Sequence, residues 1–171
     1  MTQRALLKLY LNRYNRAKNR RSELENTYSV IEEDSKVPYK ESYKKTTRVQ
    51  SSNGSSGTIE IVIKLDEIRK RIDDQSMLMS KLIIEIFNIL DFLPTESEGR
   101  SLLELRYIQH KSEKAICSSL YIGRSKYYDL LNATLDTLIA FPKVSEILKE
   151  YEKELESDAA KPSCQEFKSK S

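Results

Sequence analysis

The sequence predicts an all-α protein, a long antiparallel helical hairpin of coiled-coil character followed by a bundle of short helices. Three observations carry this. Apolar residues recur at alternating steps of three and four from Ile61 to Leu93, over more than four heptads. The 171 residues hold only four Gly and four Pro, with 32% charged against 39% hydrophobic, which favours long solvated helices around a small core. From Leu102 to Leu138 the apolar spacing changes to short amphipathic blocks separated by turn residues.

The first helix is expected from about Thr2 to Glu33, within a segment spanning 1–33. Leu7, Tyr10, Tyr14, Ala17, Leu24, Tyr28 and Ile31 form a heptad seam, with Arg21 filling its gap. Residues 34–58 contain Pro38 and the run RVQSSNGSSG, so a flexible loop is expected there, unusually long for a compact domain. The second long helix covers 59–93, with Ile61, Leu65, Ile68, Ile72, Gln75, Met79, Leu82, Ile86, Ile89 and Leu93 on its seam. In one register, which the long loop does not fix, folding the helices against each other sets Ile31 near Ile61, Leu24 near Ile68, Ala17 near Gln75 and Leu7 near Ile86. The same seams equally suit pairing between two chains, and the spacing does not choose.

Pro94 is expected to stop the long helix, with Thr95 as the next N-cap and Glu98 completing a capping box. That helix should run to about Ile108 and bury Leu102, Leu103, Leu105 and Tyr107. Ser112 can cap a further helix with Ile116, Cys117 and Leu120 inward. A turn follows at Tyr121-Ile122-Gly123, where Ile122 closes over the turn and Gly123 is the N-cap of a helix starting at Arg124. Tyr127, Leu130, Thr134, Leu135 and Leu138 form the inward stripe of that helix. Residues 95–140 thus read as one domain. Pro142 opens a last helix over 142–156, with Val144, Ile147, Leu148, Tyr151 and Leu155 on one face. The Ser- and Lys-rich end, 157–171, reads as a disordered tail.

Two short helices joined by a tight turn before an exposed third are the pattern of a helix-turn-helix, which lays its second helix in the major groove of duplex DNA. The outward face there carries Arg124, Ser125, Lys126, Tyr128, Asp129 and Asn132. Arg124 and Lys126 suit guanine edges or phosphate, and Asn132 suits an adenine edge. Lys111, Ser112 and Lys114, with the backbone N–H groups at 123–125, suit phosphate. The net charge of +3 is small, but its distribution is uneven. Residues 1–22 hold seven basic residues and no acid, and Arg106 to Tyr128 holds five against one acid, Glu113.

The stretches LLELRYIQHKS and GRSKYYDLLNATLDTL, with the RVQSSNGSSG loop ahead of a long helix, resemble a phage and prophage family. It comprises the sigma-70 region-4-like transcriptional regulators, late-gene activators of the RinA/ArpU type. The resemblance covers roughly Arg48 to Leu138 and, more loosely, the amino-terminal helix. It implies a sigma region-4-like helix-turn-helix bundle, sequence-specific binding near promoters and activation of late genes through host RNA polymerase. By position, Arg124, Ser125, Lys126 and Tyr128 match the exposed start of that family's recognition helix.

Two other classes share these features: a small-terminase-like subunit that recognises DNA for phage packaging, and a coiled-coil scaffold that binds protein. No paired carboxylates, nucleophile with a base, metal-ligand cluster or phosphate-binding Gly loop is visible, so neither enzymatic activity nor a cofactor is expected. The single His110 reads as a solvated loop residue. Cys117 and Cys164 form no CxxC pair, which suits a reducing cytoplasm. The basic first twenty residues do not read as a secretory signal, and no stretch is long and apolar enough for a membrane. Double-stranded DNA, host RNA polymerase and a second copy of the chain are the expected partners.

Overall fold

The computed structural model describes residues 2–36 and 54–159, and no strand forms among them: the fold is all-α. In chain order the helices are α1 (Gln3–Leu11), α2 (Arg13–Lys36), α3 (Gly54–Leu90) and α4 (Glu98–Leu103). A π-helical turn (Glu104–Ile108), α5 (Glu113–Leu120), α6 (Arg124–Ile139) and α7 (Pro142–Ala159) follow. The chain divides into two units, one within Met1–Arg13 and Glu85–Ser171, the other Tyr14–Ile84.

In the Tyr14–Ile84 unit the protected residues follow the heptads. On α2, Ala17 and Leu24 are buried, while Tyr14, Arg21, Tyr28 and Ile31 are half-buried. On α3, Ile61, Leu65, Ile68, Ile72, Gln75 and Met79 are half-buried and Leu82 is buried. Arg69 of α3 lies over the Tyr28 ring of α2, 5.7 Å from its centroid, so the helices are neighbours at that level. The expected loop at 34–58 is shorter at both ends. Helix α2 continues to Lys36 and α3 already begins at Gly54, because helical hydrogen bonding propagates at low cost from an established long helix. The rest of that expected loop, 37–53, lies outside the described residues.

The other unit is built around α6, which contacts α1, α4, α5 and α7. The single helix expected from Thr2 to Glu33 is two helices, interrupted at Asn12. The Thr2 hydroxyl accepts a hydrogen bond from the Ala5 N–H at 3.4 Å and so caps α1. Leu6 and Leu11, off the heptad seam, are as deeply buried as Leu7 and Tyr10. The apolar pairs Leu6-Leu7 and Tyr10-Leu11 widen the stripe beyond a coiled-coil seam, and α1 packs on α6 and α7 instead. Just past the end of α1, Arg13 bonds Glu85 at 2.6 Å and covers the Tyr10 ring at 3.7 Å. Tyr10 meets Tyr151 of α7 edge-on at 5.2 Å. Arg4 of α1 forks onto Asp136 of α6 through two hydrogen bonds.

Helix α3 ends at Leu90, three residues earlier than expected. Its last turn tightens through Phe92 N–H to Ile89 and Leu93 N–H to Leu90, at 3.3 and 2.9 Å. Ser97, not Thr95, is the N-cap of α4, with its hydroxyl 3.1 Å from the Arg100 N–H. The Ser97 N–H itself bonds the Pro94 carbonyl at 3.0 Å, so Thr95 and Glu96 are spent in a turn and Glu98 moves to the first helical position. Arg100 fastens this corner: it donates to the Leu90 and Leu93 carbonyls and pairs with Asp91 and Glu104, both at 2.9 Å. Both carboxylates hold its guanidinium pKa above the ordinary value, that of Glu104 most.

Leu102, Leu103 and Tyr107 are buried as expected, whereas Leu105 is half-buried, because the π-turn rotates it off the buried stripe. In α6, Leu131 is buried and Leu130 is not. Packing on several sides centres the stripe on Tyr127, Leu131, Thr134, Leu135 and Leu138, leaving Leu130 at its edge. Pro142 stands at the first position of α7, whose Val144, Leu148 and Tyr151 are buried. Helix α7 reaches Ala159, so residues 157–159 of the expected tail are helical and 160–171 lie outside the described residues. Among the described residues no helix is long and apolar enough to cross a membrane.

Candidate nucleic-acid interface

The candidate face is assembled by α5, the turn at 121–123 and the start of α6. Ser112 caps α5, its hydroxyl accepting from the Ala115 N–H at 3.3 Å. Helix α5 then ends on Tyr121, which adopts the left-handed conformation at φ 53° and ψ 40°. The Ile122 N–H reaches back to the Cys117 carbonyl at 3.0 Å, the long bond of a Schellman ending. Ile122 is thereby drawn into the core while the Tyr121 ring stays 96% exposed. Of the expected inward residues of α5, Ile116 is fully buried, and Cys117 and Leu120 are half-buried.

Helix α6 opens at Arg124 with Gly123 as its N-cap. Among the described residues no side-chain cap bond closes its first turn, and a Cβ added at Gly123 would meet nothing within 4 Å. The mouth of the helix is therefore open, with the positive end of its dipole directed outward. Arg124, Ser125, Lys126, Tyr128 and Asp129 are exposed, as are Lys111, Ser112 and Lys114, while Asn132 is half-buried. Ser112, Glu113, Lys114, Cys117, Ser118 and Arg124 line one open groove of about 630 Å³. Within it the structure brings together Ser112, Lys114 and Arg124 of the sequence-derived set. Lys111, Ser125, Lys126, Tyr128, Asp129 and Asn132 are not part of its lining.

Sequence reading missed the role of Glu113. Its carboxylate bonds Arg124 Nε at 2.8 Å and accepts from the Tyr128 hydroxyl at 2.6 Å. Arg124 also lies 5.9 Å from the Tyr128 ring centroid. Its pKa is raised above the ordinary guanidinium value, first by Tyr128 and then by the Glu113 charge. Lys126 pairs with Glu98 of α4 at 3.4 Å. Both bases at the mouth of α6 thus rest on carboxylates from neighbouring helices. Exposed pairs of this kind are weak because water screens them, so a phosphate can exchange for either carboxylate. The signal for Glu113 was its isolation among five bases, but its separation of eleven residues from Arg124 becomes a contact only once the turn is known.

Behind this face, Tyr127 is fully buried and its hydroxyl accepts from Arg106, which locks α6 to the π-turn. Gly99 of α4 lies against Thr134, where an added Cβ would stand 2.2 Å from the hydroxyl oxygen. The exposed first turn of α6 is consequently mounted on a closely packed support. Set against known protein families, curated proteins and solved structures, the chain matches none.

Proposed function

We propose that this protein is a sequence-specific DNA-binding transcriptional regulator, with α5, the 121–123 turn and α6 as its helix-turn-helix. The observation that carries the reading is the open mouth of α6, where Arg124, Ser125, Lys126 and Tyr128 surround uncapped N–H groups beside a groove lined by Ser112 and Lys114. In this reading the first turn of α6 enters the major groove. Arg124 and Lys126 leave Glu113 and Glu98 for base edges or phosphate, and Lys111, Ser112 and Lys114 set register on the backbone. Asn132, half-buried, reaches an adenine only if the helix lies deep, and Tyr128 and Asp129 border the readable edge.

The heptad seams of α2 and α3 are read as an antiparallel hairpin, supported by their protected positions and by Arg69 over Tyr28. The likeness of the sequence to phage late-gene activators extends the reading to promoters and to host RNA polymerase in the cytoplasm of a bacterial cell. Footprinting on promoter DNA, with the polymerase present, tests it. Protection beside the −35 element by the wild type, lost in Arg124→Ala/Lys126→Ala with unchanged helicity, is expected. Equal protection by the variant would overturn the assignment of α6.

A further inference from the structure

We infer that a second copy of this chain docks on the outer face of α3, the side opposite its heptad seam, in an antiparallel arrangement. Four large apolar residues of this face are open to solvent: Ile59, Ile63, Met77 and Ile84 are 58, 53, 74 and 60% exposed. With exposed Asp66, Lys70, Asp73 and Ser80 they form a stripe that steps by four and three from Ile59 to Ile84. That is a second heptad seam on one helix, apolar at both ends and charged in the middle.

The charge order selects both the occupant and its direction. Parallel pairing of two copies would set Asp66, Lys70 and Asp73 each against its own like charge. Antiparallel pairing about the point midway between Arg71 and Ile72 sets Lys70 of each copy against Asp73 of the other. The same two-fold sets Ile59 against Ile84, again twice, with Ile63 against Ser80 and Met77 against Asp66. Alongside, exposed Val62 meets half-buried Ile83. Glu67 against Asp74 is the like-charge contact that this register accepts. The outermost apolar residues and the central charges thus find their complements in an identical helix, the requirement of an isologous interface. The solvent-exposed outer stripe leaves the inner seam of Ile61, Leu65, Ile68, Ile72, Gln75, Met79, Leu82 and Ile86 to packing within the chain.

Sedimentation of the full chain without DNA tests this pairing separately from the DNA-binding reading. A dimer is expected for the wild type at tens of micromolar. Lys70→Asp should raise its dissociation constant about tenfold or more, as two attractive pairs become repulsive. The exchange Lys70→Asp/Asp73→Lys should restore the dimer, and Ile59→Lys/Ile84→Lys should abolish it. All four positions are exposed, and circular dichroism checks that the variants keep their helicity. A monomeric wild type, a dimer indifferent to Lys70→Asp, or an exchange variant no tighter than Lys70→Asp would each overturn the proposal.

Discussion

A Cβ on Gly99 would stand 2.2 Å from the Thr134 hydroxyl oxygen, so α4 reaches α6 because this position carries no side chain. Gly99→Ala should destabilise the fold by about 1–3 kcal/mol through overpacking, measurable by urea titration. Thr134→Ala removes the two nearest crowding atoms, so the double variant should be more stable than Gly99→Ala alone. Tyr121 presents the converse case: its left-handed backbone is strained for a residue with a Cβ, and its ring contacts almost nothing. Tyr121→Gly should raise stability by about 0.5–1 kcal/mol, and an unchanged or lower midpoint would show that the ring is anchored. In Glu113→Gln the carboxylate charge beside Arg124 and Tyr128 is gone, so random duplex should bind about three- to tenfold more tightly at low salt. Unaltered affinity would remove Glu113 from the account.

At the scale of elements, Tyr10 couples the end of α1 to α3 and α7. Burial pushes its hydroxyl pKa up to about 12, an effect that nearby Arg13 opposes and Glu85 reinforces. The folded value lies above the unfolded one, so this contribution to stability is complete below pH 10 and is lost as pH rises towards 12. Tyr10→Phe should therefore show a shallower alkaline loss of stability over that interval than the wild type, measured by thermal unfolding. The long helices, the protected positions of α3, the turn at 121–123 and the caps at Ser112 and Gly123 were legible, because each depends on neighbours a few residues apart. The division at Asn12 was not, since α1 is shaped by distant α6 and α7. Thr95 and Ser97 both offer a capping hydroxyl, and the Pro94 turn, a matter of backbone geometry, decides for Ser97. The π-turn at Glu104–Ile108 likewise lacks a local signature. Of the candidate face, the exposed bases of α6 were legible from spacing, whereas their carboxylate partners Glu113 and Glu98 arise from tertiary contact alone.

For the whole molecule, a net charge of +3 is too small to drive association with nucleic acid by itself. On the proposed function the basic residues act where they are concentrated, at the open end of α6. The measurement that bears most directly on this claim is the affinity of the full chain for promoter duplex, titrated with salt by fluorescence anisotropy. The wild type should weaken steeply as salt rises. Arg124→Ala/Lys126→Ala should bind far more weakly, with a log–log salt slope smaller by about two. Salt-independent binding, or superimposable curves for the wild type and the double variant, would contradict the assignment of α6 as the DNA-reading helix.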